Sequence, residues 1–402
     1  MKRDVTARGE RGVILIIVAI SVTVMMMLGA FVFDMGMLWL GRVQAQNAAD
    51  AGALAGGTAF VFDDRNDLSP TGPGYLSASV AAQSNGVFGG AHGVHVDLGD
   101  GTGFEHPAPA QCASGGCVQV DVYQDSTHTS STIPTLFGVL WGQTSQGIRA
   151  TATAQVLTAN GSNCLLPWVI PDLWLENGGT PLTYDIGVDN YEPPIPGPRV
   201  GGYSVANIGD YILLNAGSPG DALQPGLYFE ADMRGGGGGT TEFIADIKQC
   251  ANVIKIINST GTCIDDTDIS CMNVLTGRRP NAVVEGVEAR INADLGASMD
   301  GSGVITGSCA PNCVGYEGQS TSPRLVPVAM FNPRYYAEAG YPSGNQTLPI
   351  TNMMALFIDS IVRSGTDKGQ VNARIAGQTG DLYPGPVPGD DAGFLKVVKL
   401  IR

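Results

Sequence analysis

The stretch that decides the fold runs from residue 11 to residue 57 and reads RGVILIIVAISVTVMMMLGAFVFDMGMLWLGRVQAQNAADAGALAGG. No charged residue occurs between Val13 and Phe33. At ~1.5 Å per residue, roughly 20 apolar helical residues cross the ~30 Å hydrocarbon core of a bilayer. A helix also satisfies its own backbone hydrogen bonds there. The pattern predicts a transmembrane helix that begins at Val13 and ends at Phe33, with Asp34 and Trp39 at the outer interface.

The charges that flank this apolar run predict its orientation. Lys2, Arg3, Arg8 and Arg11 precede it, against only two acidic residues, and a basic flank stays in the cytoplasm. The remainder of the chain is therefore expected on the other side of the membrane. The run is longer than the roughly 7–15 residues of a signal peptide and lacks a small-residue cleavage site, so the helix is expected to remain as an anchor.

The helix is expected to continue beyond the membrane to about residue 60, because the chain there is free of proline and rich in Ala, the best helix former. Small residues recur every fourth position on one face: Ala45, Ala49, Ala53 and Gly57. Such a face allows another helix to approach closely. Two interpretations stay open. The face packs against helices of a partner protein, or the stalk packs on the chain's own ectodomain.

The segment after the apolar run also carries a recognisable motif. Asp34-x-Gly36 is followed at residues 42–57 by RVQAQNAADAGALAGG. This resembles the N-terminal domain of Flp (tight-adherence) pilus-assembly proteins of the TadE/TadG-like kind. In one respect the chain departs from pilin-like members, which carry a Gly with a Glu five residues later. Here Gly12 is followed at that offset by Ile17, so cleavage by prepilin peptidase is not expected.

The resemblance implies a location and a set of partners. It implies a single-pass protein of the bacterial inner membrane, with a cytoplasmic N-terminus and a periplasmic or extracellular ectodomain. It implies contacts with other pilus-assembly proteins or pilin subunits through the N-terminal helix. It implies no catalysis.

Composition limits the fold class. The 402 residues include 56 Gly and 24 Pro, and the net charge is −15. A nucleic-acid groove is not expected, because phosphate binding needs clustered Lys and Arg. The fold class expected is α+β: one N-terminal transmembrane helix extended into an Ala-rich stalk, then a β-rich, disulfide-braced ectodomain in two parts. The domains expected are residues 1–60, 61–158 and 159–402.

The pattern of apolar residues predicts individual elements. Beyond the long helix, helices are expected at 76–84, 133–142 and 283–294. Alternating or apolar runs predict strands at 94–98, 117–123, 148–157, 211–214, 226–230, 243–247, 253–257, 324–331, 353–362, 371–375 and 394–401. Pro327 places its strand at a sheet edge or a bulge, and residues 164–174 are expected to be irregular.

All eight cysteines follow the membrane segment: Cys112, Cys117, Cys164, Cys250, Cys263, Cys271, Cys309 and Cys313. An even count on the exported side predicts disulfides, although sequence alone does not give their connectivity. Local spacing favours Cys112–Cys117 and Cys309–Cys313. The pairing of the other four cysteines remains open, and one option is Cys263–Cys271 with Cys164–Cys250. Zinc is the alternative, but these spacings are not the CxxC pairs of zinc ribbons.

The search for reaction chemistry finds no GxSxG, HExxH, P-loop or dinucleotide motif, so no enzyme and no cofactor are predicted. Three metal hypotheses remain. Asp125, Thr127 and Thr129 resemble the DxSxS metal site of von Willebrand factor A domains. His92-x-x-His95 with His106 offers imidazoles. Acidic turns at 97–103 and 265–268 offer oxygen ligands for a structural Ca²⁺.

These observations predict a membrane-anchored, non-catalytic structural or assembly component of a Flp-type pilus. The alternative is a membrane-tethered surface adhesin or ligand-binding module, with aromatic residues for its site: Trp168, Trp174, Tyr191 and Tyr203. A von Willebrand factor A-like metal-dependent adhesion domain is a third interpretation.

Overall fold

The structure, a computed structural model, describes most of the chain. The described residues are 10–62, 67–114, 116–129, 132–135, 137–193, 200–235, 238–258, 261–265, 267–317, 319, 321–377, 382–384 and 395–401. Most of the predicted cytoplasmic tail and parts of the loops at 63–74, 191–202 and 235–239 lie outside them, as does Asp266 in the acidic turn at 265–268. The chain divides into two units, Met1–Val156 with Val398–Arg402, and Leu157–Val397. The α+β fold class is confirmed.

The first unit is built on the helix α1 (Glu10–Phe62), which spans 53 residues without a break. At ~1.5 Å per residue it is about 80 Å long. A second helix, α2 (Pro73–Ser84), packs against its Ala-rich half. Gly52 and Gly56 permit this approach, because a Cβ added at Gly56 would lie only 2.6 Å from the Ala78 Cβ.

An antiparallel sheet covers the same half of α1. Its order in the first unit is β1 (Gly93–Gly99), β2 (Cys117–Gln124) and β5 (Ile148–Ser162), and a short hairpin of β3 (Ile133–Pro134) and β4 (Ser145–Gln146) lies between the last two in sequence. Val118, Val120 and Val122 point into a core shared with the Ala residues of α1. The alternation that predicts a strand at 117–123 therefore marks the apolar face of β2, which packs on α1, while the polar face is buried as well.

The second unit contains most of the strands. They are β6 (Trp168–Pro171), β7 (Tyr211–Ala216), β8 (Leu227–Asp232), β9 (Lys255–Ile256), β10 (Cys271–Val274), β11 (Ser298–Met299), β12 (Ile305–Thr306), β13 (Leu325–Phe331), β14 (Gln346–Ile361), β15 (Val371–Ala376) and β16 (Leu382–Pro384). The helices are α3 (Thr240–Lys248), α4 (Pro280–Ala293) and α5 (Pro333–Glu338). A last strand, β17 (Lys396–Ile401), pairs with β5.

Six of these strands pair in a closed circuit, in the order β14, β13, β6, β8, β7 and β15, with β15 pairing back onto β14. Two of the six pairings, β6 with β13 and β7 with β8, are parallel. Closure leaves these strands without free edges, which limits edge-to-edge association. The circuit surrounds a core of large apolar side chains that includes Trp168, Phe229 and Phe357.

Four sequence predictions are wrong. In the described part of residues 133–142 there is no α-helix: Ile133 and Pro134 pair with β4, and only Gly138–Trp141 form a 3-10 turn. Residues 243–247 lie in α3, where Phe243 and Ile247 are one helical turn apart and both buried. The segment expected to be irregular contains β6, which is buried along its whole length.

The fourth wrong prediction concerns Pro327, which lies in an interior strand rather than at an edge or bulge. It pairs with Ala355 of β14, and the ladder with β6 on the other side begins only at Ala329. The N–H that proline lacks is therefore not needed by β6, and the Pro327 carbonyl accepts a hydrogen bond from the Leu166 N–H.

The eight cysteines form four disulfides. Cys112 pairs with Cys117, Cys164 with Cys250, Cys263 with Cys271, and Cys309 with Cys313. The bridge between Cys164 and Cys250 closes a loop of 86 residues, whereas the other three close loops of 4 to 8 residues.

Candidate functional site

The N-terminal half of α1 presents large apolar side chains to the surroundings. Val13 is 57% exposed, Phe33 67% and Trp39 73%. By length and composition this is a helix that can cross a membrane. Leaving so many large apolar groups in water would be costly, so the exposed face suggests a single-pass membrane anchor.

Asp34 follows directly on the charge-free run. Its Oδ2 accepts hydrogen bonds from the backbone N–H groups of Phe137, at 3.0 Å, and Gly138, at 2.7 Å. The structure thus joins the end of the apolar run to the hairpin tip more than 100 residues later in sequence. No sequence signal pairs these two segments.

The small-residue face of α1 is buried inside the first unit. Ala45, Ala49 and Ala53 are fully buried. At Gly57 an added Cβ would lie 2.7 Å from the Val398 Cγ1 and 3.5 Å from the Ala154 Cβ. In this structure the chain's own strands therefore cover the small-residue face that one interpretation assigns to a partner helix.

The residues that resemble a DxSxS metal site lie just after β2. The Asp125 Oδ1 accepts from the N–H groups of Thr127, at 3.0 Å, and His128, at 2.8 Å, and the Thr129 hydroxyl donates to the Asp125 carbonyl. Burial acts against ionisation, but the hydrogen bonds from His128 and Thr127 lower the pKa of Asp125. In this structure Asp125 closes a local turn, and β2 is antiparallel to both neighbours, unlike the parallel strands of von Willebrand factor A domains.

A cluster of histidines and carboxylates surrounds Glu105 on the outer face of the first sheet. The His95 Nε2 lies 3.4 Å from the Glu105 Oε2, and the His128 Nε2 lies 3.9 Å from the Glu105 Oε1. Tyr123 stacks on His128 with ring centroids 3.9 Å apart and donates to the Glu105 Oε1 at 2.9 Å. Desolvation raises the pKa of Tyr123, as does its bond to Glu105, so the phenol stays a donor. Sequence spacing does not bring these residues together; the β1–β2 register does.

The histidines that the sequence groups for a metal lie apart. His92 is buried, and its Nε2 lies 3.1 Å from the Ala82 carbonyl of α2. The His106 Nδ1 lies 3.2 Å from the Asp121 Oδ2, at ion-pair distance but out of alignment for a hydrogen bond. Among the described residues, the ring nitrogens of His92, His95 and His106 do not come within 4.8 Å of one another as a group of three.

The acidic turns proposed for Ca²⁺ use their carboxylates locally. The Asp100 Oδ1 accepts from the Thr102 N–H at 2.9 Å, and the Asp265 Oδ1 accepts from the Thr267 N–H at 2.8 Å. These bonds lower the pKa of both carboxyl groups. Each is the usual side-chain-to-backbone bond of an Asx turn.

A further group with metal-binding atoms, which the sequence did not indicate, lies in the second unit. Asp294, Cys309 and Cys313 place one ligand atom each within 4.8 Å of the others. A metal ion binds cysteine as the thiolate, whereas these two sulfurs form a disulfide. The group fits a metal only when that bridge is reduced.

Asp294 has a structural role here that predicts a pH dependence. It is almost fully buried and accepts from the Ser308 and Ser322 hydroxyls, at 2.7 and 2.6 Å, and from the Cys309 N–H at 3.0 Å. Burial acts to raise the pKa of Asp294, but these hydrogen bonds and the charge of Arg324 bring it below its ordinary 3.8.

We therefore expect Asp294→Asn to destabilise the second unit at pH 7 by about 1.5–3 kcal/mol, as for lost hydrogen bonds to a charged group. Because the folded pKa is depressed, this contribution is complete above the ordinary pKa and disappears as the pH falls through the folded value. Denaturant unfolding of both proteins at a series of pH values measures the difference. A gap that persists unchanged in acid would contradict the assignment.

The aromatic residues considered for a ligand site belong to the core of the second unit. Trp168, Trp174, Tyr191 and Tyr203 are at most 5% exposed. The Tyr191 hydroxyl donates to the buried Asp172 Oδ2 at 2.9 Å. These rings are therefore not placed to stack on a ligand at the surface.

Comparison with known proteins agrees with the N-terminal resemblance. Residues 12–59 match the family Tad, described as putative Flp pilus-assembly TadE/G-like. The match lies within α1 and ends before α2. No curated protein and no solved structure matches the chain. The resemblance is thus confirmed for the N-terminal segment, and it supports a role related to Flp pilus assembly.

Proposed function

We propose that the protein is a membrane-anchored, non-catalytic structural component of the Flp (tight-adherence) pilus-assembly machinery. One observation carries this proposal: the residues that match the family all lie in a single helix. Residues 12–59 include both the exposed apolar half of α1 and its buried Ala-rich half. The matched segment thus joins an exposed apolar helix to a buried helix in the core of the first unit.

The continuity of α1 suggests how such a component works. The helix has no proline, and its C-terminal half packs against α2 and β2. A movement of the membrane half would therefore be transmitted directly to the first unit. In this proposal residues 1–60 anchor the protein in the bacterial inner membrane with the N-terminus in the cytoplasm, and residues 61–158 and 159–402 form two parts of a periplasmic or extracellular ectodomain.

Partner helices would meet the exposed half of α1. The small residues from Ala45 to Gly57 are covered by the chain itself, whereas most apolar side chains from Val13 to Val43 are exposed, with Ala30 and Leu38 as exceptions. Within a membrane, helices associate through close packing rather than through the hydrophobic effect. We therefore place the contact with other assembly proteins or pilin subunits in the bilayer.

The test is a pull-down of the tagged full-length protein from crosslinked native membranes, with mass spectrometry of the eluate. The matched control replaces residues 13–33 by an unrelated apolar span of the same length and keeps the remainder. We expect pilus-assembly ATPase, platform proteins or Flp pilin with the native protein and fewer with the control. An intact, membrane-bound protein that recovers none of them would favour a tethered adhesin or ligand-binding module.

A further inference from the structure

The tip of the β3–β4 hairpin is held at the level where the charge-free run of α1 ends. The tip contains the 3-10 turn Gly138–Trp141. Two consecutive N–H groups at its start, those of Phe137 and Gly138, donate to the Asp34 carboxylate. The attachment point therefore lies one residue beyond Phe33, the last residue of the charge-free run.

The depth of that point follows from helix geometry. At ~1.5 Å per residue, Asp34 lies roughly 30 Å along the helix from Val13, which is the thickness of the hydrocarbon core. Exposed apolar side chains continue past it, with Trp39 at 73% and Leu40 at 46% exposed, and the next charged residue is Arg42. The segment from Asp34 to Arg42 therefore has the composition of a membrane interface, where Trp is enriched.

The tip also has the composition of a membrane interface. Its sequence at 137–141 is FGVLW, and Phe137 and Val139 are 36% and 54% exposed. Two of its backbone carbonyls are also hydrogen-bonded within the protein. The Gly142 N–H donates to the Val139 carbonyl at 3.1 Å and the Gln143 N–H to the Gly138 carbonyl at 2.9 Å. Paired N–H groups are what a segment needs where water is scarce.

We propose that this tip, residues 137–141, inserts into the outer lipid interface beside α1 as a second membrane contact, and that Asp34 holds it there. The occupant of the exposed apolar surface is phospholipid, because the tip is attached at the end of the membrane-spanning run, at about the level along α1 of the exposed Trp39. The Asp34 carboxylate is hydrogen-bonded at the interface, because it accepts from two backbone N–H groups. A single helix can rotate about its axis; a second contact beside it fixes the rotation of the first unit on the membrane. The inference rests on the proposed membrane anchoring.

The test uses the full-length protein in phospholipid nanodiscs. All eight native cysteines are in disulfides, so one introduced cysteine is a unique site for an environment-sensitive fluorophore. Val139→Cys reports on the tip. Val80→Cys, on α2 of the same unit and 63% exposed, is the matched water-exposed control, and Ile20→Cys reports on the membrane helix. Quenching is measured for each with two kinds of lipid, one with a spin label near the headgroup for the interface and one with a spin label in the acyl chain for the hydrocarbon core.

We expect strong quenching and blue-shifted emission at positions 20 and 139, and neither effect at position 80. Adding Asp34→Ala to Val139→Cys should remove most of the quenching at the tip and leave that at position 20 unchanged. Quenching at position 20 with none at 139 would overturn the inference while the anchor stands. Absence of quenching at position 20 would overturn the anchor itself. If the Asp34 variant leaves quenching at 139 intact, the role assigned to Asp34 is wrong.

Discussion

Replacing Ala49 and Ala53 together by Leu is expected to destabilise the first unit strongly while leaving the membrane helix inserted. Both residues are fully buried where α1 meets the first unit's core, and each Leu adds three carbon atoms where no space is available. Overpacking costs about 1–3 kcal/mol per site, and neighbouring sites do not add simply. Against the roughly 5–15 kcal/mol of a whole domain, the pair removes much of the stability.

Limited proteolysis and thermal unfolding in detergent measure this effect, and carbonate extraction of membranes measures insertion. The matched control is Leu54→Phe, which also adds atoms to α1 but at a position that is 38% exposed. We expect the control to change the free energy of unfolding by less than about 0.5 kcal/mol. A double variant that unfolds like the native protein but loses its pilus partners would instead mean that this face binds a partner helix.

The features predicted well are those that a local pattern determines. The α1 helix follows from a proline-free apolar run that passes into an Ala-rich run, and both signals concern neighbouring residues. β2 follows from the strict alternation at Val118, Val120 and Val122, since its apolar face packs on the α1 core and the period is two.

The features missed depend on contacts between distant segments. As an apolar run, Phe243, Ile244 and Ile247 predict a strand. In the structure this segment packs as a helix against α4, where a Cβ added at Gly286 would lie 2.5 Å from the Ile247 Cγ2. The tertiary contact decided the secondary structure. β6 is a strand because β13, more than 150 residues later, pairs with it in parallel.

The candidate site shows the same limit. The sequence places Asp34 at the outer end of the apolar run, but its hydrogen bonds go to residues 137 and 138. It marks a small-residue face on α1 but leaves open what covers that face. It groups histidines by spacing, whereas the structure gathers His95 and His128 around Glu105 through strand register. Local spacing identifies residue types; only the packing of strands identifies their partners.

Removing the Cys164–Cys250 disulfide is expected to destabilise the second unit more than removing any other bridge. Its 86-residue loop restricts the unfolded chain most, and the loop-entropy relation gives about 4–5 kcal/mol for closure of that length. The change is Cys164→Ala with Cys250→Ala, which adds no buried hydroxyl. Denaturant unfolding of the full-length protein, followed by fluorescence of the buried Trp168 and Trp174, reports the loss.

The matched control is Cys309→Ala with Cys313→Ala in the same unit. The two cysteines are only four residues apart, so the same relation gives about 2 kcal/mol. Both variants lose two sulfur atoms, and they differ chiefly in the length of chain that the bridge constrains. A loss for the long loop clearly larger than for the short one therefore assigns the stabilisation to the unfolded state. Equal losses would mean that local packing around the sulfurs, and not loop length, determines what each bridge contributes.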